Sequence, residues 1–280
     1  KGRLGEAYIN INKAVELNPR DAGLISESGI VCMFLRKYQE AERNFDRSIS
    51  LEPDFFSSYV YKARNYLLWQ GELRKYRQTL EKMPKKSDMY IIWAWFLLEV
   101  YERKYETALD RLSSSPFQSF EFVSMSSPKP LLEGLVYQYM KKPELAHASF
   151  ESARLLLEKK IEENPRDPRL HSALGIVYAG LGLKEGALRE GKAAVELSPI
   201  SRDSISGPSF ILALAHIYVM IGEHDAAIEQ IDYIFSIPFV FSVQDLRIDP
   251  KWDPLREHPK YQRLLDKYSI CTESVPRILD

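Results

Sequence analysis

Residues 14–21, AVELNPRD, and residues 48–55, SISLEPDF, decide the fold of this chain, because each is an apolar helical segment that ends in a proline turn. The prolines, Pro19 and Pro53, lie 34 positions apart, and Pro165 and Pro199 repeat that spacing. Proline has no N–H to donate and disfavours helical geometry in the residue before it, so it ends a helix. A recurrence of this length is typical of a repeated pair of antiparallel helices. The sequence therefore predicts an all-α protein built from stacked helix pairs.

Small residues recur at fixed positions within these units. In each case a glycine or alanine in the first helix of the pair, helix A, precedes an alanine in the second, helix B, by twelve positions. The pairs are Gly29 and Ala41, Gly134 and Ala146, Gly175 and Ala187, and Ala215 and Ala227. Because small side chains let two helices approach closely, we predict that the helices of each pair cross at these residues.

The spacing and these residue types resemble those of the tetratricopeptide-repeat family. The resemblance is carried by Gly29, Ala41, Phe45 and Pro53 in one unit and by Leu174, Gly175, Tyr178, Ala187 and Pro199 in another. It implies a right-handed superhelical solenoid of antiparallel helix pairs. We expect about six and a half units in residues 1–238, with an insertion at 113–130 and a linker at 200–209 that both project from one end of the pairs.

Helical patterning after Glu144 continues unusually far, to Asn164. We expect a longer antiparallel hairpin in which Leu156 and Ile161 are covered by the insertion or by the next helix. The alternative is an exposed helix that binds a partner.

Residues 239–280 depart from the repeat pattern and are predicted to be a C-terminal cap, which an open solenoid end requires. A helix starting at Pro259 is expected to expose Lys260 and Arg263. The apolar residues expected to cover the last unit or to be buried in the cap are Leu246, Ile248, Trp252, Leu255, Tyr261, Leu264 and Leu265.

The run LRIDPKWDPLREHPKYQRLL, residues 246–265, also resembles a tail that follows the repeats in bacterial signalling proteins. The resemblance covers about residues 245–268 and is carried by Trp252, Asp253, Pro254 and Leu255. That resemblance implies a larger bacterial protein in which an effector domain is regulated by this solenoid. Since the chain opens inside a repeat, we expect it to be a fragment that lacks the true N-terminus.

The composition is typical of a soluble globular protein with enough apolar residues for a core. The 280 residues are 45% hydrophobic and 28% charged with a net charge of −1, so the basic excess typical of nucleic-acid binding is absent. The apolar stretch at 90–98 ends at Glu99, which is too short for a membrane span. The two cysteines, Cys32 and Cys271, have no metal-ligand spacing. The lack of any Asn-x-Ser/Thr site slightly favours the cytoplasm but leaves the compartment open.

We expect no enzymatic activity, catalytic residue, cofactor or metal site. No phosphate-binding loop, nucleophile elbow or zinc motif occurs. The histidines are dispersed over different units: His147, His171, His216, His224 and His258. An enzyme with its site in the insertions is the alternative, and it would need clustered polar side chains.

A binding function follows from the family resemblance, which implies a concave groove lined mainly by A helices. Its residues would be Ile30, Met33, Phe34, Tyr61, Arg64, Leu68, Trp93, Leu97, Tyr101, Leu135, Gln138, Tyr139, His216 and Met220. Most are apolar or aromatic, which disfavours the carboxylate clamp of chaperone-binding relatives and favours an apolar or amphipathic polypeptide. The partner would be a protein, a peptide or another domain of the same protein.

Two alternatives stay open at this point. The aromatic stripe at 90–101 is either groove or intramolecular core. The chain as a whole is either a scaffold with a separate ligand or a structural module that self-associates through its insertion or its ends.

Overall fold

The computed structural model describes residues 4–84 and 88–269, and Cys271 lies outside them. Apart from one β-hairpin, the regular structure of these residues is helical. The helices are α1 (Leu4–Leu17), α2 (Ala22–Phe34), α3 (Tyr38–Leu51), α4 (Phe56–Gln70), α5 (Leu73–Glu81), α6 (Met89–Tyr101), α7 (Tyr105–Ser114), α8 (Lys129–Tyr139), α9 (Pro143–Glu163), α10 (Pro168–Gly180), α11 (Lys184–Leu197), α12 (Gly207–Ile221), α13 (His224–Phe235), α14 (Val243–Ile248), a 3₁₀ helix (Pro250–Leu255) and α15 (Pro259–Ser269). The strands are β1 (Ser119–Phe122) and β2 (Met125–Pro128). None of the helices described is long and apolar enough to cross a membrane.

The chain forms two compact units. Among the described residues, the first unit contains 4–102, 237–248 and 265–269, and the second unit contains 103–236 and 249–264. Each unit therefore combines repeat helices with part of the C-terminal region.

In the first unit, α2 packs against α3, and α4 packs against α5. Asp21 caps the start of α2, and its side chain accepts a hydrogen bond from the Leu24 N–H at 2.9 Å. A Cβ added to Gly29 would lie 2.6 Å from the Phe45 ring, and Ala41 is fully buried. The predicted crossing of the helices at small residues is confirmed here.

A buried chain of hydroxyl groups also ties three helices of the first unit together. The Ser58 hydroxyl donates to the Ser26 hydroxyl at 3.0 Å and lies 2.8 Å from that of Ser48, which donates to the Ala22 carbonyl at 2.7 Å. Because buried polar groups are costly unless they are paired, this chain fixes the relative positions of α2, α3 and α4.

In the second unit, three helix pairs follow one another: α8 with α9, α10 with α11, and α12 with α13. A Cβ on Gly175 would lie 3.0 Å from the backbone nitrogen of Gly191 and 3.2 Å from the carbonyl oxygen of Ala187. Only a glycine lets α10 approach the backbone of α11 this closely. The small-residue prediction is confirmed in this unit as well.

The insertion at 113–130 forms the β-hairpin, with Ser119 opposite Pro128 and Phe122 opposite Met125. Strand β2 packs against α8 and α10, and Phe120 is fully buried. The expectation that the whole insertion projects was therefore wrong, although Val123 at the turn is 78% exposed. Alternation of buried and exposed positions within such short strands is too weak a signal to predict a hairpin.

Helix α9 is 21 residues long, as its patterning predicted. Leu157 is fully buried and Ile161 packs against the core of the second unit. The prediction that Leu156 is covered was wrong, because Leu156 is 49% exposed and the neighbouring Leu155 is 61% exposed.

Candidate functional site

The predicted groove residues divide between the two units. In the first unit, on α2, α4 and α6, lie Ile30, Met33, Phe34, Tyr61, Arg64, Leu68, Trp93, Leu97 and Tyr101. In the second unit, on α8 and α12, lie Leu135, Gln138, Tyr139, His216 and Met220.

Several of these side chains are inaccessible in this structure. Met33 and Leu68 are buried in one cluster with Cys32 and Phe45. Tyr101 is buried in the neighbouring cluster of the first unit, and His216 is buried in the second unit. The half-buried or exposed members of the predicted groove are Ile30, Phe34, Tyr61, Arg64, Trp93, Leu97, Leu135, Gln138, Tyr139 and Met220.

The aromatic stripe on α6 divides between core and partly accessible positions. Phe96 is buried, and its ring centroid lies 5.5 Å from that of Trp93, which is half-buried. Trp95 packs against the core and lies beneath the guanidinium of Arg77 at 5.5 Å. Of these three aromatic residues, Phe96 therefore belongs to the core, while Trp93 and Trp95 keep partial exposure.

Phe34, Met33 and Leu68, which the sequence assigned to the groove and which we call the wall together with Arg64, contact residues 237–248. We call residues 237–248 the strap. Val240 packs against the cluster that contains Met33 and Leu68. The rings of Phe239 and Phe34 meet edge to face with centroids 6.5 Å apart. A polypeptide segment therefore lies against residues that the sequence assigned to the groove wall.

Helix α14, at the end of the strap, packs against α4. Its Leu246 is fully buried, and Ile248 packs against the core that contains Leu67 and Tyr76. The expectation that Leu246 and Ile248 cover the last repeat unit was wrong, because both residues belong to the first unit. Their apolar character predicted burial but could not specify the surface that buries them.

An ion pair joins the strap to the wall. The Asp245 carboxylate lies 2.6 Å from Nη2 of Arg64, and the two side chains are only 5% and 23% exposed. Burial opposes the charge of Arg64, but the nearby carboxylate of Asp245, together with Tyr101 and Tyr76, raises the pKa of the guanidinium. Nη1 of Arg64 is buried and has no hydrogen-bond partner among the described residues. Arg64 thus has one nitrogen paired with Asp245 and one without a partner among the described residues.

Asp245 also organises the strap itself. Its Oδ2 accepts a hydrogen bond from the Ser242 N–H at 2.8 Å, and the Ser242 hydroxyl accepts one from the Gln244 N–H at 3.1 Å. This exchange resembles a capping box at the start of α14, with aspartate in the place of glutamate. The Asp245 carboxylate therefore accepts the hydrogen bond at the helix start with Oδ2 and pairs with Arg64 through Oδ1.

In the second unit, the 3₁₀ helix packs against α12 of the last pair. Trp252 and Leu255 are fully buried, and the Trp252 ring lies 6.3 Å from that of His216. This part of the C-terminal region therefore packs against a helix of the last pair. Burial, followed by repulsion from Lys251, lowers the pKa of His216 to about 3, so the imidazole is neutral at physiological pH.

Helix α15 starts at Pro259 and follows its predicted faces. Lys260 is exposed and pairs with Asp225 of α13 at 3.0 Å. Arg263 is exposed as well, while the buried residues are Tyr261, Leu264 and Leu265.

The polar groups of the described chain form no catalytic arrangement that we can identify. No group of three or more potential metal ligands occurs among the described residues. Nδ1 of His171 lies 2.7 Å from Glu190 and Nε2 lies 3.0 Å from the Pro165 carbonyl, so both ring nitrogens are engaged. Burial, followed by the charge of Glu40, raises the pKa of Cys32 to about 12, which keeps it a thiol.

A surface hollow of about 620 Å³ lies beside α9 and α11 in the second unit. Its central cation, Arg154, is held by Glu151 at 2.9 Å and by Glu158 at 2.8 Å. Three of the charges that line the hollow, Glu151, Arg154 and Glu158, are thus engaged with one another.

No family model matches the chain, and no curated protein matches its sequence. Among solved structures, the APC/C hetero-tetramer Cut9–Hcn1 is similar to it with a TM-score of 0.51 and 19% identity, over 95% of this chain and 46% of that chain. This chain thus spans about half the length of that relative. A tetratricopeptide repeat protein from Parabacteroides merdae aligns with 16% identity over 100% of this chain and 89% of that chain, with a TM-score of 0.32. Yeast Tom70 aligns with 16% identity over 95% of this chain and 65% of the Tom70 chain, with a TM-score of 0.30.

The stacked helix pairs with small residues at their crossings have a tetratricopeptide-like fold, as the sequence predicted. The similarity of residues 246–265 to the tails of bacterial signalling proteins stays a prediction.

Proposed function

We propose that this chain is a non-enzymatic protein-interaction scaffold whose first unit binds an apolar or amphipathic polypeptide segment on the inner residues of α2 and α4. The observation that supports this most directly is the strap. Phe239 and Val240 of the strap lie against the wall, and Asp245 pairs with Arg64. A surface that accommodates one apolar segment of polypeptide has the chemistry to accommodate another.

The partner we propose is a protein or peptide, or another domain of the same protein. The resemblance of residues 246–265 to tails of bacterial signalling proteins favours a sensory module within a larger protein of that kind. In such a protein, the occupancy of the wall would be the signal that the scaffold transmits.

Selection of peptides from a random display library on the full chain tests this proposal. We expect enrichment of sequences with aromatic and aliphatic residues, and a loss of that enrichment with the variant Phe34→Ser. The matched control is Val123→Ser, which removes an apolar side chain that is 78% exposed at the hairpin turn. Equal enrichment on the folded Phe34→Ser variant and on the wild type would contradict wall binding.

Self-association is the second candidate, and the exposed pair Leu155 and Leu156 on α9 favours it. Light scattering across concentration, with the double variant Leu155→Ser, Leu156→Ser as comparison, tests this candidate. A strictly monomeric wild-type particle would eliminate it.

A further inference from the structure

The strap has the composition of a ligand for the wall that it covers. Its sequence is IPFVFSVQDLRI, with apolar residues on both sides of the single acidic residue Asp245. Phe241, Val243 and Leu246 are buried, so the strap is anchored along its length by apolar contacts. The strap therefore contacts its unit through aromatic and aliphatic side chains and through one carboxylate.

Arg64 makes that carboxylate a requirement. A guanidinium in a mostly buried position is stable only when an anion compensates its charge. The carboxylate of Asp245 is this anion and pairs with Nη2 of Arg64. Nη1 of Arg64 has no hydrogen-bond partner in the described chain. A carboxylate that reaches both nitrogens would form the stronger, bidentate pair. The wall therefore favours an incoming segment with a carboxylate over one that is purely apolar.

The position of the carboxylate within the segment is also specified. In the strap, the carboxylate lies three residues after Ser242, at the start of a short helix, and Leu246 follows it. A segment of the type Ser/Thr-x-x-Asp/Glu followed by an apolar residue could form the same turn and present its acid in the same way.

We infer that the strap is an internal competitor for the wall, and that the partner is an apolar segment with an internal aspartate or glutamate that replaces Asp245 at Arg64. This inference rests on the proposed function and specifies the ligand of the same surface. Binding of the partner would then release the strap.

The test uses a fluorescein-labelled peptide, IPFVFSVQDLRIDP, which corresponds to residues 237–250. Its binding to the full chain is measured by fluorescence anisotropy. In the chain variant Asp245→Asn, the amide can still accept the Ser242 hydrogen bond, but the charge that neutralises Arg64 is gone. We expect this variant to bind the peptide at least about tenfold more tightly than the wild type does, because its own strap competes less well.

The matched control is Asp46→Asn, which removes an equal charge from an exposed ion pair with Lys62 in the same unit. This control should bind the peptide as the wild type does. A second peptide, with asparagine only at the position that corresponds to Asp245, should bind the Asp245→Asn chain about tenfold more weakly than the first peptide. Adding Arg64→Gln to that chain should abolish the difference between the peptides.

The outcomes separate the inference from the proposed function. Equal binding of both peptides to the Asp245→Asn chain would overturn the carboxylate requirement and leave wall binding intact. Failure of every chain to bind either peptide, with circular dichroism showing native helix content, would overturn both. If Asp245→Asn does not fold, Phe239→Ala loosens the strap at its aromatic contact and should tighten peptide binding in the same direction. A folded Phe239→Ala chain with wild-type affinity would count against competition by the strap.

Discussion

Replacing Gly175 with alanine tests whether backbone contact between α10 and α11 sets the spacing of the helix pair. The added methyl group would lie 2.7 Å from Cδ1 of Ile217, which can rotate away. It would also lie 3.0 Å from the Gly191 nitrogen and 3.2 Å from the Ala187 carbonyl oxygen. These backbone atoms can move only if the helices separate.

The two opposing effects can be compared in magnitude. Overpacking of a core costs about 1–3 kcal/mol, whereas alanine is favoured over glycine within a helix by about 1 kcal/mol. Because the close contacts involve backbone, we expect the upper part of the overpacking range and a net destabilisation of about 1–2 kcal/mol for Gly175→Ala.

Urea denaturation followed by circular dichroism measures this change. The control is Gly23→Ala in α2, where the nearest atom to the added Cβ is Oδ1 of Asp21 at 3.2 Å, the end of a side chain. We expect this control to be neutral or slightly stabilising. A Gly175→Ala chain as stable as the Gly23→Ala chain would refute the claim that backbone contact at Gly175 sets the helix spacing.

Three further predictions follow from buried or exposed side chains. Acidification from pH 7 to pH 5 should cost about 2 kcal/mol of stability through His216, because the unfolded histidine gains a proton below its usual pKa of 6.5 while the folded one, with a pKa of about 3, stays neutral. In urea titrations at both pH values, His216→Gln should lose this dependence and the exposed control His147→Gln should keep it. Phe150→Ala should lower the free energy of unfolding by about 3–5 kcal/mol, because Phe150 is 1% exposed and fills the space beside Gly134 and Gly180. Val123→Ser, at an exposed turn, should change stability in the same assay by less than about 0.5 kcal/mol.

The repeat architecture was predictable because its signals are local. Pro19 and Pro53 end or follow helices whatever surrounds them, and each small residue, such as Gly29, acts on a helix only twelve positions away. Because these interactions join residues close in sequence, the residue types that make them recur at a fixed period in the sequence. Helices α2 and α3 accordingly lie between these two prolines.

The surroundings of the proposed binding surface were predictable only in part. The family resemblance placed Phe34 and Arg64 on the inner wall, but it could not reveal that Phe239 and Asp245 contact them. The only signal in the sequence was the apolar character of residues 239–248, which predicts burial and not the surface responsible for it. The β-hairpin is a second example. Phe120 is fully buried, but the sequence of the hairpin does not indicate which helices bury it.

The sequence by itself thus determined that the chain is a stack of helix pairs, because proline, glycine and alanine act through backbone geometry between neighbouring segments. The tertiary structure alone decided that the strap returns to α2 and α4 and that Asp245 compensates Arg64. The physical reason is that apolar burial has no direction and an ion pair requires only proximity, so partners distant in sequence are selected by the folded surface as a whole.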